Sequence, residues 1–523
     1  MSIDSACPWP SIKSDCFGIR TREAAASCIK KWIKTCNDGH EHCQQELLLQ
    51  KLPTRVLEIT DSGQIRLRVT KEHEEGRYAC LSHCWGGLPT LRTTKATYMR
   101  HQDNISWTIL PATFKDAVDL TRLLGLRFLW IDSLCIIQDD TDDWRHEGSK
   151  MASIYADSYI TLAAVASKNA DQGLYRPKDP DLYFRYDMRR SSDQAPYTIH
   201  VHPRRDHVPF VAGTLPLLQR AWYYQERILS TRVVSFGETE LYWECRATQC
   251  CECGDTWPQR FTAESSKIDV PQYSDAFTYA RSNNIHKWQH LVKQYTRLNL
   301  TFEADMLPAL QGIASTWQRE KTGAYLAGLW EKNLVEGLLW RSQLCGHRPS
   351  SYRAPTWSWA SIHGWIDWWP EPIPARNEVV SILDVSTTPA GEDPRGEVTA
   401  GTLVIKGRCV LANLVYEGTH ELYRPGNCVK FQRGPDGVSE GPKVGPGDWF
   451  PDLAANVETD SEFLLMQIVD MQEATHRIVY FLALRRKRGD DTVYERVGCA
   501  RTDAPDVRLA FENWGKEMVI TVV

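Results

Sequence analysis

The segment from residue 110 to residue 167 constrains the fold more than any other part of the chain. It reads LPATFKDAVDLTRLLGLRFLWIDSLCIIQDDTDDWRHEGSKMASIYADSYITLAAVAS. Apolar residues recur at helical spacing over 113–124 and 143–155, and nearly unbroken apolar runs occupy 126–131 and 159–166. Because two strands joined by one crossover helix run parallel, this alternation predicts a largely parallel sheet flanked by helices.

Polar residues follow two of the predicted strands, which makes the strand ends the first place to look for function. A third strand is predicted over 78–83. In open α/β sheets, ligands bind outside the carboxyl ends of the strands. The candidates at these ends are Ser82, His83, Trp85, Asp132, Cys135, Gln138 and Asp139. We expect one common cavity, bordered by His83, Trp85, Asp132, Cys135, Gln138, Glu147 and Trp222.

Four residues are the candidates for catalysis. Glu147 lies on an otherwise apolar helix face, and a carboxyl group held against apolar side chains is suited to acid–base work. His83 can activate the Cys135 thiol, with Asp132 orienting the imidazole, if the strand ends converge. Each residue also has an ordinary structural interpretation: Glu147 as an ion-pair partner, Cys135 as a small buried side chain, Asp132 as a turn cap and His83 as a structural histidine with its hydrogen bonds satisfied. The sequence leaves both interpretations open.

A short helix near residues 220–227 contributes a second group of candidates. Trp222, Gln225 and Glu226 fall on one face of this helix, just before a predicted strand over 232–236. They are candidates for the wall of a substrate pocket. The alternative is that Trp222 belongs to the core and that Glu226 is held by an arginine.

Three blocks of the sequence resemble the fungal heterokaryon-incompatibility (HET) domain. They are YACLSHCWGG at 78–87, LPATFKDAVDLTRLLGLRFLWIDSLCIIQDD at 110–140 and RAWYYQERILSTRVVSFGETELYWECR at 220–246. The resemblance covers about residues 28 to 246, and APTWSWASIHG at 354–364 resembles a motif found downstream in large HET-domain proteins. It implies a role in self/non-self recognition and cell death after hyphal fusion.

The resemblance also implies a possible chemistry. HET domains are similar in fold and block order to Toll/interleukin-receptor (TIR) domains, some of which cleave NAD at the nicotinamide glycosidic bond with a glutamate on a helix. By this analogy NAD is a possible substrate, and Glu147 is the residue most like the TIR glutamate. The chain has no GxGxxG motif and no P-loop, so binding of a dinucleotide or a nucleoside triphosphate by those motifs is not predicted.

Two other classes of function stay open. One is a small-molecule enzyme of fungal secondary metabolism that uses the same strand-end pocket with Cys, His, Asp or Glu. The other is a non-enzymatic recognition or assembly module whose partner is a protein. The sequence does not predict the oligomeric state.

Pattern changes along the chain suggest four sections. These are an N-terminal lead-in at 1–75, the α/β core at 76–260 with an insertion at 168–209, a helical section at 261–375 with the WSWAS motif, and a C-terminal β-rich domain at 376–523. Within the lead-in we predict a helix around Ala24 to Thr35 and a strand at 65–69.

Charge and hydropathy exclude some functions. The formal net charge is -5, which gives no electrostatic case for nucleic-acid binding. No apolar stretch is long enough to span a bilayer, and the first residues, MSIDSACPWPSIKSD, lack the pattern of a signal peptide. We therefore expect a cytoplasmic protein with no membrane span, whose 16 cysteines are reduced.

Two groups of cysteines raise the question of a metal. The first is Cys36, His40 and Cys43, and the second is Cys245, Cys250, Cys251 and Cys253. Together they have enough soft ligands for zinc. Neither group contains a doubled C-x2-C pair, so we assign no metal ligands and expect no structural zinc.

Overall fold

The computed structural model divides into two compact units, Met1–Thr278 and Tyr279–Val523. The residues it describes are 2–3, 21–41, 43, 49–87, 91–175, 184–188, 197–201, 215–238, 240–252, 256–257, 285–317, 322–343, 346–369, 377–416, 427–431, 443–444, 449–453, 462–472 and 477–523. Among these residues, no helix is long and apolar enough to cross a membrane.

The first unit is built on a nine-stranded sheet, as far as its described residues extend. The strands are β1 (Arg55–Ile59), β2 (Ile65–Val69), β3 (Tyr78–Ser82), β4 (Phe128–Ile131), β5 (Ile160–Ala163), β6 (Arg232–Phe236), β7 (Leu241–Cys245), β8 (Gln249–Cys251) and β9 (Thr256–Trp257). Their order across the sheet is β9-β8-β7-β6-β5-β3-β4-β1-β2. Strands β3, β4 and β5 are buried along their whole length, as expected of strands covered on both faces.

The centre of this sheet is parallel, as predicted. Strand β3 pairs in parallel with both β4 and β5, and β5 pairs in parallel with β6. The strands predicted at 126–131 and 159–166 are therefore parallel but not adjacent, because β3 lies between them. The prediction of a largely parallel sheet is wrong at both edges, where β1, β2, β7, β8 and β9 pair antiparallel. Short connections link most of these edge strands, and short connections can join only antiparallel neighbours.

Six helices of the first unit accompany the sheet in the described residues. They are α1 (Arg22–Gly39), α2 (Tyr98–Asp103), α3 (Ala112–Leu123), α4 (Asp132–Cys135), α5 (Thr141–Ala156) and α6 (Ala221–Leu229). Helices α3 and α5 confirm the two predicted from periodicity. The Asp140 side chain caps α5 by accepting hydrogen bonds from the backbone N–H groups of Asp142 and Asp143. Gly125, with a φ of 79°, follows α3 in the left-handed conformation that ends many helices.

The lead-in contributes directly to the core sheet. Helix α1 contains the predicted helix at 24–35, and β2 coincides with the predicted strand at 65–69. Strand β1 then pairs with β4, the outermost of the parallel strands on that side of the sheet. Of the predicted insertion at 168–209, Phe184–Met188 and Tyr197–Val201 pair as strands, and Ser2–Ile3 adds a third. Residues 176–183, 189–196 and 202–214 lie outside the described part.

The second unit begins with a helical region rich in buried tryptophan. Its helices are α7 (Ile285–Tyr295), α8 (Pro308–Trp317) and α9 (Leu334–Gly337), with two-stranded pairs at Tyr325–Leu326/Leu329–Trp330 and Arg341–Ser342/Ile366–Asp367. The WSWAS motif is buried here: the Trp359 Nε1–H and the Ser358 hydroxyl donate to the carbonyl oxygens of Gly328 and Ala327. This motif therefore has a packing role.

The rest of the second unit is β-rich, as predicted. Its strands are β10 (Ser381–Pro389), β11 (Val398–Tyr416), β12 (Asn427–Phe431), β13 (Lys443–Val444), β14 (Trp449–Pro451), β15 (Glu462–Gln472), β16 (Arg477–Lys487), β17 (Asp490–Thr502) and β18 (Lys516–Val522), with α10 at Pro505–Trp514 before the last strand. Strands β11, β15, β16 and β17 pair in that order, and β18 pairs with both β11 and β17. Each of these five strands therefore pairs with two others of the five, so that the strand pairing closes on itself.

Candidate functional site

The ends of β3 and β4 bring together polar side chains from three separated parts of the chain. Ser82 ends β3, His83 and Trp85 follow it, and Asp132 begins the short helix after β4. Glu226 reaches the same place from the middle of α6. We call Ser82, His83, Trp85, Asp132 and Glu226 the strand-end cluster.

The buried part of this cluster is a hydroxyl–carboxyl pair. The Ser82 hydroxyl donates to Glu226 Oε2 at 2.5 Å, and the Tyr155 hydroxyl hydrogen-bonds with both of these side chains. Ser82 is 1% exposed and Glu226 is 7% exposed. Burial raises the pKa of Glu226 to about 7, partly offset by the hydrogen bond from Ser82, while the nearby Asp132 charge raises it further. Glu226 therefore titrates near neutral pH.

Asp132 is the accessible acid of the cluster, with a side chain that is 23% exposed. Its Oδ2 accepts a hydrogen bond from Trp85 Nε1 at 2.8 Å, and its Oδ1 accepts one from the backbone N–H of Ser133 at 2.7 Å. These two donors hold the carboxyl group in place at the end of β4. Asp132 is therefore both positioned by the protein and open to a ligand.

His83 lies behind Asp132 and is 3% exposed. Its Nδ1 is 3.8 Å from Asp132 Oδ1, and its ring packs edge-on against Phe114 with centroids 5.0 Å apart. Burial lowers the pKa of His83 to about 4, against the opposing effect of Asp132. The imidazole is therefore neutral at pH 7. Within the described residues, neither ring nitrogen has a hydrogen-bond partner.

Cys135 and Glu147 lie in a second polar group, around Arg55. The Arg55 Nε–H donates to the carbonyl oxygen of Cys135 at 2.6 Å, and its NH2 donates to the Asp143 carboxylate. Burial raises the pKa of the Cys135 thiol to about 12. A thiol with this pKa is protonated at neutral pH, which argues against Cys135 as a nucleophile activated by His83.

Glu147 has no accessible surface in the structure. Its Oε1 is 3.4 Å from Lys150 Nζ and 3.9 Å from His146 Nε2, which matches the ion-pair interpretation. Its Oε2 is buried and has no hydrogen-bond partner in the described part of the chain. A carboxyl oxygen in this position has unused hydrogen-bonding capacity, so the catalytic interpretation of Glu147 stays a prediction.

Gln138 and Asp139, predicted to bind substrate, make hydrogen bonds to nearby backbone groups of the protein. The Gln138 Nε2 donates to the carbonyl oxygens of Asp132 and Ile136 at 3.1 and 3.0 Å. Asp139 is exposed, and its Oδ1 accepts from the backbone N–H of Lys95 at 2.7 Å. These contacts shape the loop after β4, and both side chains have a structural role.

Trp222 and Gln225 complete the residues predicted on α6. Trp222 is half-buried and packs edge-on against Trp144 of α5, with ring centroids 6.3 Å apart. Gln225 is fully buried. Trp222 therefore joins α5 to α6 near the site, while Glu226, one residue after Gln225, is the member of this group in the strand-end cluster.

Three residues around the site were not predicted to belong to it. Arg220 NH1 donates to the carbonyl oxygen of His83 at 2.7 Å, Tyr155 reaches Ser82 and Glu226, and Arg55 holds the carbonyl oxygen of Cys135. Arg220 begins the third motif block, so its place directly before α6 is a usable signal. Arg55 lies in the fully buried strand RVLEI, where a buried charge implies a specific partner.

One group of residues has the composition of a metal site. Cys36, His40, Cys43 and Cys245 come together, which joins one member of the second cysteine group to the whole of the first. Cys250 is not part of this group, and Cys253 lies outside the described residues. Ten of the described cysteines are free thiols, but Cys251 is disulfide-bonded, so the expectation of reduced thiols is wrong at that position.

The first unit is therefore an α/β fold, and acidic and aromatic side chains form a candidate site at the ends of its parallel central strands. Residues 78–226 match the family model described as "Heterokaryon incompatibility protein (HET)". Residues 78–226 therefore form a HET domain, and the predicted resemblance is confirmed for the first two motif blocks and the start of the third. The strand-end cluster lies entirely within the matched residues. No curated protein and no solved structure significantly matches the chain.

Proposed function

We propose that the protein acts in self/non-self recognition and cell death of the heterokaryon-incompatibility type, and that its HET domain is an enzyme. The observation that carries the proposal is the strand-end cluster. An accessible carboxyl group, Asp132, is held beside an indole, Trp85, and interacts electrostatically with the buried Glu226. Acidic groups placed in contrasting environments are a common basis for acid–base catalysis.

The chemistry of the cluster suits a nucleotide glycoside, with NAD as the leading substrate. A carboxylate accepts hydrogen bonds from ribose hydroxyls, and an aromatic side chain offers a surface for a planar ring. In NAD cleavage the bond between ribose C1′ and the nicotinamide nitrogen breaks as positive charge develops on the sugar. Asp132 stabilises that charge, water forms the new C1′–O bond and releases a proton, and nicotinamide leaves as a neutral molecule.

Glu226 has a positioning role in this mechanism. It is nearly inaccessible and touches Ser82 and Tyr155, so it acts on the reaction through the field at Asp132. Because its pKa is about 7, the charge near Asp132 changes over the physiological pH range. We expect the wild-type rate of nicotinamide release, plotted against pH, to show an inflection near pH 7. The profile of the Glu226→Gln variant should lack this inflection. A variant profile with the same inflection contradicts the role.

The direct test is release of nicotinamide from NAD by the purified full-length protein. Asp132→Asn should lower the rate by roughly 100-fold or more, because it removes the charge that stabilises the sugar cation. Asp139→Asn is the matched control, since Asp139 is exposed and its carboxylate accepts from the backbone N–H of Lys95, outside the strand-end cluster. Absence of nicotinamide release by the wild type, or an unchanged rate in Asp132→Asn, contradicts the enzymatic proposal.

The TIR analogy assigns the same reaction to a different carboxyl group. Glu147→Gln keeps the size and hydrogen bonding of Glu147 and removes its charge. In the mechanism proposed here, this variant retains activity within about tenfold, because Glu147 pairs with Lys150 and lies outside the strand-end cluster. Loss of nicotinamide release in folded Glu147→Gln, with activity retained in Asp132→Asn, assigns catalysis to Glu147 and overturns the role of Asp132.

A further inference from the structure

Four side chains from two distant parts of the first unit converge at one point. The ligand atoms of Cys36, His40, Cys43 and Cys245 all lie within 4.8 Å of one another. Cys245 Sγ is 3.3 Å from His40 Nδ1, although 205 positions separate the two residues in the sequence. The three cysteines are buried free thiols, and His40 is half-buried.

We propose that Cys36, His40, Cys43 and Cys245 bind a structural zinc ion. Three thiolates and one imidazole are a common ligand set for tetrahedral zinc. With zinc–sulfur bonds of about 2.3 Å, two sulfurs of a tetrahedral site lie about 3.8 Å apart. The spacing of the four ligand atoms is compatible with that geometry. All four positions are filled by protein side chains, so the site is closed and structural in type.

The backbone around the first three ligands is ordered by local hydrogen bonds. Cys36 lies in the last turn of α1, and the His40 N–H donates to the Cys36 carbonyl oxygen at 3.1 Å. The Cys43 N–H then donates to the His40 carbonyl oxygen at 2.9 Å. The chain thus turns twice within eight residues, which brings the three side chains to the same side.

The fourth ligand comes from the sheet and is braced by a buried arginine. Cys245 ends β7, and its register partner on β6 is Arg232. The Arg232 NH2 group donates to the Cys43 carbonyl oxygen at 2.9 Å and to Asn37 Oδ1 at 3.0 Å. Arg232 therefore connects β6, the neighbour of the strand that carries Cys245, to the turn that carries Cys43. Such outer contacts orient the ligands of metal sites.

The proposed ion ties together two segments that flank the HET match. Helix α1 precedes residue 78 and β7 follows residue 226, so neither belongs to the matched segment. Apart from the four ligands, Trp32 of α1 and Trp243 of β7 pack with ring centroids 5.8 Å apart. The zinc ion would hold α1 against the antiparallel edge of the sheet.

The test is the metal content of the full-length protein, purified without added metal or chelator. Mass spectrometry should find about one zinc ion per chain, and Cys245→Ser and Cys43→Ser should lower this at least severalfold. Cys250→Ser is the matched control, because Cys250 is buried nearby but is not among the four ligands. Zinc below about one-tenth per chain in the wild type, or equal zinc in all variants, overturns the proposal.

A second measurement keeps the proposal testable if the serine variants do not fold. Cobalt exchanged into the wild type should give the absorption of a tetrahedral thiolate site, and His40→Cys should keep four ligands while changing that spectrum. A cobalt spectrum without thiolate bands overturns the proposal. So does thiol labelling that finds disulfides among Cys36, Cys43 and Cys245 in freshly purified protein.

Discussion

Replacing Glu226 by glutamine should change how the stability of the protein depends on pH. The rise of the Glu226 pKa from its ordinary 4.5 to about 7 corresponds to about 3 kcal/mol, at about 1.4 kcal/mol for each pH unit. Because the folded protein holds this proton more tightly than the unfolded chain, the contribution is fully present below pH 4.5. It is lost as the pH rises from about 4.5 to about 7. Glutamine does not titrate, so the variant should lack this loss.

The assay is urea unfolding at a series of pH values, with pulse proteolysis to report on the first unit separately from the second. All other titrating groups are shared, so the difference in unfolding free energy between the two proteins isolates Glu226. This difference should change by about 3 kcal/mol in favour of the variant between pH 4.5 and pH 8. Glu75→Gln, at an exposed position, is the matched control and should follow the wild type. If the unfolding free energies of the wild type and Glu226→Gln change with pH in parallel, Glu226 is not a buried acid with a raised pKa.

Two further variants test other parts of the molecule. Cys135→Ser should release nicotinamide at a rate within about tenfold of the wild type, because the buried thiol has a pKa of about 12 and supplies little thiolate. A folded but inactive variant in the same assay would restore Cys135 as a nucleophile. Arg496→Met should lower the unfolding free energy of the second unit by roughly 3–5 kcal/mol, because it leaves Asp452, whose side chain is 1% exposed, without its buried cation. Pulse proteolysis in urea measures this effect, and Arg485→Met, near the C-terminal end of β16, is the control. A loss of unfolding free energy below about 1 kcal/mol in Arg496→Met contradicts the buried ion pair.

The sequence alone predicted the central α/β pattern because each of its elements carries its own periodicity. Helices α3 and α5 and strands β3, β4 and β5 bury most of the apolar residues from which they were predicted. The rule that ligands bind at the carboxyl ends of parallel strands then singled out Ser82, His83, Trp85 and Asp132. The three motif blocks led to the HET family, which the match over 78–226 confirms.

The roles of several side chains could not be predicted from the local sequence pattern. The amide of Gln138 bonds within its own loop, the carboxylate of Asp139 accepts from the backbone of Lys95, and Glu147 pairs with Lys150 on its own helix. A polar side chain after a strand looks the same in sequence whether it meets a ligand or a nearby backbone group. Only the three-dimensional course of the loop decides which partner is within hydrogen-bonding distance.

The tertiary structure alone decided the contacts between residues far apart in the chain. The bond from Ser82 to Glu226 spans 144 positions, and the approach of Cys245 to His40 spans 205. Periodicity reports which face of an element is buried, but not which distant element covers it. Those pairings depend on strand order: β3 lies between β4 and β5, and β7 lies on the antiparallel edge near α1. The sequence therefore determined the elements and their exposed ends, while the order of strands in the sheet assembled the strand-end cluster and the proposed zinc site.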